Sequence, residues 1–260
     1  MTNEITSRST IGDVLEMSHT LGSTAHSWAI LGEGNTSCRI DAESFYVKAS
    51  GFQLRDIGEH EFARVRFGPI LDVLYADAIH TDAQIADLLR ASTFEHCSVM
   101  PSVETLLHAH LLQLTDINYV GHTHVASVNA MTCSARGWDI LMSGGRIFPD
   151  EIVVCGIAPC CVPYVDPGLP LARALVQSVE TYIETHTCVP KTIYLQNHGF
   201  IALGKTANEV ISITAMADKV ANIVAGTMAF AGPTFLSPAS VARISNRPDE
   251  HYRRKVLGLG

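Results

Sequence analysis

The stretch YVGHTHVASVNA, residues 119–130, ends a short apolar run with two histidines, His122 and His124, two positions apart. An imidazole pair is costly to bury without partners. It is inexpensive to bury if both nitrogens bind one ion. In a strand, residues i and i+2 point to the same face, so the two rings converge if the strand persists to His124. A catalytic zinc site takes three protein ligands, with imidazole nitrogens about 2.0–2.1 Å from the ion, and keeps a position open. The third ligand must come from elsewhere. The candidate is His198 in LQNHGFIALG, because Asn197 and Gly199 are turn residues that put it at a tip between two strands, where functional side chains often sit. With twelve histidines in the chain, His198 also reads as a plain turn residue. Glu104 is the carboxylate to add. It falls in the first turn of a helix opened by Pro101 and Ser102, where the helix N-terminus favours negative charge, and it reads equally as an ordinary helix-start glutamate. His108, four residues on and on the same helical face, could hydrogen-bond Glu104 or simply pack.

These residues must be positioned by regular elements. Apolar spacing predicts a first helix from about Thr10 to Ala29. GEGNTS (32–37) reads as a turn, and SCRI and SFYVKAS as a hairpin bending at DAE. GEHEFARVRFGPILDVL and TDAQIADLLRA read as helices, as does MPSVETLLHAHLLQL with Ser102 as its N-cap. INYVGHTH is a strand and VASVNAMTC a helix. EIVVCG and CVPYV are short strands, and LPLARALVQSVETYIETH is a helix. KTIYLQ and FIALG are strands flanking NHG. TANEVISITAMADKVANIVAGTMAF is a long helix, and a helical segment of about 237–260 closes the chain. Interleaved strands and helices make this an α/β chain, one domain over 1–260, and short hairpin-linked strands argue against a purely parallel sheet.

Composition narrows the function. The chain has 260 residues, 47% hydrophobic and 17% charged, which suits a compact enzyme-like domain and excludes a disordered one. A net charge of −8 speaks against a nucleic-acid partner. Seven cysteines without framework spacing read as reduced thiols in a cytoplasmic protein. Cys133, Cys155, Cys160 and Cys161 read as packing residues. The N-terminus has no apolar core of a signal peptide, and no stretch reads as long and charge-free enough to span a bilayer.

The motifs GEGNTSCR, VKASG, PSVE, HTH and NHG occur in the order and at the spacing of the class II aldolase/adducin family, and the chain resembles it from about Gly32 to Phe230. The PSVET form is that of a branch sometimes fused to a short-chain dehydrogenase, and no dehydrogenase segment is expected here. The resemblance implies an α/β/α layered domain around a mostly antiparallel sheet, usually a ring-shaped homotetramer with active sites between subunits. It implies that His122, His124 and His198 bind zinc, or manganese, cobalt or iron. Glu104 becomes the acid/base that can also ligate the metal. Asn35, Ser50, Gly51 and Ser102 become the residues that hold a substrate phosphate. A C-terminal tyrosine is used in the family, and Tyr252 lies in a suitable region.

The reaction implied is retro-aldol cleavage of a ketose phosphate or related hydroxy-carbonyl compound, with a metal stabilising the enediolate and a carboxylate moving the proton. A β-keto sugar acid decarboxylase, a 4-epimerase or an iron oxygenase could use the same ligands. A non-catalytic adducin-like interaction module is the other alternative. Two departures bear on the substrate: Val103 stands where several phosphate-using relatives carry a second serine, and ASG replaces another hydroxyl-bearing turn. Lys48, the only lysine near a motif, reads as a solvated strand residue. Trp138 and Arg146 read as part of a specificity loop.

Overall fold

The alternating segments around residues 41–43 fold back as β1 (Asn35–Arg39) and β2 (Ser44–Lys48), antiparallel with Cys38 opposite Tyr46. Asp41 closes the bend on its own backbone, as aspartate does in turns: its Oδ1 accepts from the N–H groups of Glu43 (2.8 Å) and Ser44 (2.7 Å). The structure, a computed structural model, describes residues 2–94, 97–249 and 256. Helix α1 (Thr2–Leu21) precedes this hairpin. After it come β3 (Phe62–Arg66), α2 (Phe67–Tyr75), α3 (Asp82–Ser92), α4 (Thr105–Leu111), β4 (Tyr119–Thr123), α5 (Ala126–Thr132), α6 (Ala135–Met142) and α7 (Pro149–Cys155). Then follow β5 (Cys160–Val162), α8 (Leu169–His186), β6 (Thr192–Leu195), β7 (Gly199–Gly204), α9 (Ala207–Thr227) and α10 (Pro238–Ser245).

One seven-stranded sheet, ordered β3-β2-β1-β4-β7-β6-β5, is antiparallel except for β5 beside β6. The expected mostly antiparallel α/β/α layering is what the chain adopts. Strand periodicity sorts the side chains into two cores. Val120, Ile201 and Leu203 pack with α2, α3, α4 and α8 on one face. Tyr119, Phe200 and Ala202 pack with α1, α5 and α9 on the other. His122 shares the parity of Val120. Asn35 and Ser37 of β1 lie opposite His122 and Val120, and residues paired across strands share a face. His122, Asn35 and Ser37 therefore point at α4.

Several elements differ from expectation. Helix α1 ends at Leu21, well before Ala29. At Gly22 the chain passes so close to the next loop that a Cβ would lie 2.4 Å from the Arg55 nitrogen. Residues 62–66 form an edge strand of the sheet rather than the start of a helix. Their Arg-Val-Arg alternation buries Val65 while the guanidiniums of Arg64 and Arg66 lie 4.2 and 4.1 Å from the Phe94 ring centroid. EIVVC is helical, the end of α7, and Gly156 caps it at φ 81°. Pro149, Asp150 and Glu151 occupy the first turn, where Pro and acidic side chains favour a helix start, and an apolar run alone fits either structure. Helix α4 begins at Thr105, so Ser102 does not cap it; its Oγ accepts from the Glu104 N–H one turn earlier (3.3 Å).

The expected specificity loop is instead helix α6, capped by Ser134, whose side chain accepts from the Gly137 N–H; Trp138 lies within it. Arg146 is buried, paired with Glu151 at 3.0 Å and donating to the carbonyls of Gly156 (2.9 Å) and Cys155 (3.0 Å). It is a structural ion pair. Helix α9, with the turn after it, is long and apolar enough to cross a membrane, contrary to the sequence reading. It is a core helix here: Val210, Ile213, Ala217, Val220, Ala221 and Val224 are buried in the second core. Cys155 and Cys160 are buried packing residues, while Cys133 is exposed and all seven cysteines are free. Tyr252 lies outside the described residues.

Candidate metal centre

Strand β4 delivers only the first histidine. His122 is fully buried, opposite Asn35 on one side and Ile201 on the other. The strand stops at Thr123, so His124 is held from outside it. Its N–H donates to the Trp28 carbonyl (2.8 Å), and that of Ala126 to Ser27 (3.0 Å). Asp218 of α9 pins both pieces, accepting from the Trp28 indole (2.8 Å) and from Ser127 Oγ (2.5 Å). His198 sits in the β6–β7 turn. Asn197 there adopts φ 53°, a left-handed conformation asparagine tolerates. The Asn197 N–H donates to the Thr132 carbonyl (3.1 Å), and the His198 carbonyl accepts from Asn129 (3.1 Å). Gly199 lets the turn close onto the pair: a Cβ there would lie 2.9 Å from His122 Cε1 and 2.9 Å from His124 Cδ2.

The three rings meet, with centroids 4.9, 5.1 and 5.2 Å apart. One ligand atom from each lies within 4.8 Å of the other two. His122 and His124 face each other through Nε2 at 3.2 Å. The Nδ1 of His122 donates to the Phe200 carbonyl (3.1 Å), so its Nε2 carries a lone pair. Two imidazole nitrogens on one tetrahedral zinc are about 3.3 Å apart, from bond lengths near 2.0–2.1 Å. Two imidazole nitrogens facing each other at this spacing match what one shared cation requires. Glu104 joins them, its Oε1 3.2 Å from His198 Nε2 and 3.5 Å from His122 Nε2. Burial works against its charge, but His122, His198 and the Asn35 amide outweigh burial and hold its carboxyl well below the usual carboxylate range. Burial lowers His122. His124 is pulled down to about 4 by burial and then by the neighbouring imidazoles. Neutral imidazoles and an ionised carboxylate are what a divalent cation requires.

Behind Glu104 runs a directed chain. The Ser37 hydroxyl is 2.6 Å from His108 Nδ1, His108 Nε2 pairs with the Asn35 carbonyl oxygen, and the Asn35 amide donates to Glu104 Oε2. His108 thus reaches Glu104 through Asn35 instead of directly. Asn35, expected at a phosphate site, turns its amide to the carboxylate. Ala49 pairs with Pro101 in an antiparallel bridge, and the Ser50 N–H donates to Met100 (2.9 Å), so the backbone at Ser50 and Gly51 lies beside the Ser102 segment. Lys48 is not solvated. It is 2% exposed, its Nζ donates to the Gly32 carbonyl (3.1 Å), and burial lowers its pKa against the pull of Glu104. Sequence reasoning also passed over Glu33, whose only signal was a carboxylate in the turn before Asn35.

The His108 site has a pH consequence. Burial lowers its pKa to about 3, against about 6.5 in the unfolded chain. Below about pH 6.5 the unfolded state binds the extra proton, so stability falls as pH falls. From pH 6.5 to 4.5 this one group removes roughly 2–3 kcal/mol. Metal-free protein melted across that range shows the decline, and His108→Gln is expected to flatten it. An equal slope in the variant would contradict the buried neutral imidazole.

A family model, Class II Aldolase and Adducin N-terminal domain, matches residues 13–225. The Bacillus subtilis protein named uncharacterized oxidoreductase YuxG is 26% identical over 226 residues, 82% of this chain. The chain spans 30% of that relative's length. Methylthioribulose-1-phosphate dehydratase of Geobacillus kaustophilus is 26% identical over 188 residues, 71% of this chain and 77% of the relative. The N-terminal class II aldolase domain of a conserved Thermoplasma acidophilum protein superposes with a TM-score of 0.62 at 25% identity, covering 81% of this chain and 92% of that one.

Proposed function

The chain belongs to the class II aldolase and adducin N-terminal domain family, and from that premise we propose that it is a metal-dependent carbon–carbon lyase acting on a ketose phosphate or related hydroxy-carbonyl compound. The observation that carries this reading is the meeting of His122, His124 and His198 with the ionised, anchored carboxylate of Glu104. The three imidazoles would hold zinc, or manganese, cobalt or iron. A divalent ion bound there supplies Lewis-acid stabilisation of negative charge developing on a carbonyl oxygen. Glu104 takes the proton from the substrate hydroxyl as the adjacent carbon–carbon bond breaks, and returns it to the carbon that gains the electron pair. Asn35 holds the carboxylate in place during both transfers. Ser50, Gly51 and Ser102 are the proposed contacts for the substrate's anionic end, and the proposed assembly is a homotetramer.

A second reading rests on the relative named as a dehydratase. Loss of water from a hydroxy-carbonyl compound begins with the same charge at the carbonyl and the same carboxylate shuttling a proton, but breaks a C–O bond. Products separate the readings. The metal-loaded chain is incubated with ketose phosphates, hydroxy-ketone phosphates and β-keto acids, and scored for carbonyl fragments, for dehydrated product and for CO₂. Carbonyl fragments that disappear on chelation are the expected result. Dehydration without fragmentation would favour the second reading, and CO₂ release a decarboxylase. A metal-loaded protein inert to all three substrate classes would overturn both readings.

A further inference from the structure

His122 obtains its Nδ1 acceptor from the sheet, the carbonyl of Phe200. His124 lies one residue beyond β4 and has no strand carbonyl to serve it. What stands behind its ring is a second carboxylate: Glu33 Oε2 is 3.3 Å from His124 Nδ1. That carboxylate is not a free surface group. Its Oε1 accepts from the Ile30 N–H (2.7 Å), and the Glu33 N–H donates back to the Ile30 carbonyl (3.2 Å). This closes a turn that leads through Gly34 into Asn35 and β1. Leu31 within it holds φ 53°, a left-handed conformation that bends the chain tightly. The arrangement is His124 Nε2 toward the other imidazole, Nδ1 toward an anchored carboxylate. A carboxylate behind a ligating histidine fixes the ring tautomer and orientation and raises its basicity.

We propose that Glu33 is a positioning residue of the metal centre, holding the proton of His124 on Nδ1 so that Nε2 is the free ligand nitrogen. This rests on the reading of the three histidines as a metal site. It adds to that site a carboxylate from the turn before β1, outside the residues that hold the cation, and gives GEGNTS a task beyond a bend.

The test uses cobalt(II), whose visible absorption reports ligand geometry, titrated into the metal-free chain against a competing chelator. Glu33→Gln keeps the shape of the side chain and an oxygen for Ile30, but loses the charge facing His124. About tenfold weaker cobalt affinity with shifted visible bands is the expected result. Affinities are taken well below the melting transition of both proteins, so a loss of stability does not enter them. An affinity within threefold of wild type and unchanged bands would show that Glu33 merely closes its turn, and would overturn the proposal. A wild-type chain that takes up no cobalt would overturn the metal reading itself, and this inference with it, before any variant is compared.

Discussion

Glu104→Gln is expected to retain about one metal ion per chain and to lose about 10²–10⁴-fold in kcat, the range of a positioned general acid–base. That corresponds to about 3–5 kcal/mol of transition-state free energy. The amide fills the same volume and can still accept from Asn35, so the Ser37–His108–Asn35 chain keeps its end point. The three imidazoles remain to bind the ion. What disappears is the basic oxygen 3.2 Å from His198 Nε2, which is the group that can move a proton. The measurement pairs elemental analysis with turnover on whichever substrate class the product panel selects. Wild-type turnover in the variant would remove Glu104 from the chemistry. Loss of metal along with turnover would make Glu104 an essential ligand rather than the proton carrier.

Most of this site was legible because it is written in residue types. HTH, NHG and PSVE contain the side chains that meet, and a histidine pair at i, i+2 needs only a strand to converge. What the letters did not carry is how His124 is held. It sits past the end of β4, fixed by Trp28 and Asp218, the latter about two hundred residues away in sequence from the former, and no local pattern encodes that. Glu33 was passed over and Lys48 misread as solvated for a related reason. Neither a carboxylate in a turn nor a lysine in an alternating strand signals a buried partner from sequence, and in the fold Lys48 is buried with its ammonium on the Gly32 carbonyl. The fold errors share a cause. FARVR, a five-residue alternation, was absorbed into the helical pattern that follows it, and EIVVCG is a short apolar run that fits either regular structure; both are too short to decide alone. The choice was made by an edge position beside β2 in the first case and by a proline-led first turn in the second.

His122→Ala with His124→Ala is expected to take bound metal from about one ion per chain to none. A three-ligand site stripped to His198 and Glu104 lacks the donors a closed site needs, and the remaining pair are 3.2 Å apart and satisfy each other. The readout is metal content by elemental analysis on tag-free protein, together with the shift in melting temperature on adding metal. A ligand at 100 times its Kd stabilises the folded state by about 2.7 kcal/mol, a shift of a few degrees in a chain this size. Wild type is expected to show it and the double variant to show none. Comparing shifts within each protein removes the variant's own change in stability, which has opposing parts. Deleting two imidazoles removes two polar rings from the interior, one of them wholly buried, but it opens a cavity beside Val120 and Ile201 and takes the His122 donor away from the Phe200 carbonyl. Equal metal content in the two proteins would place the ion elsewhere. No uptake by wild type after reconstitution would leave a metal-free imidazole cluster, and the non-catalytic interaction module would become the reading to pursue.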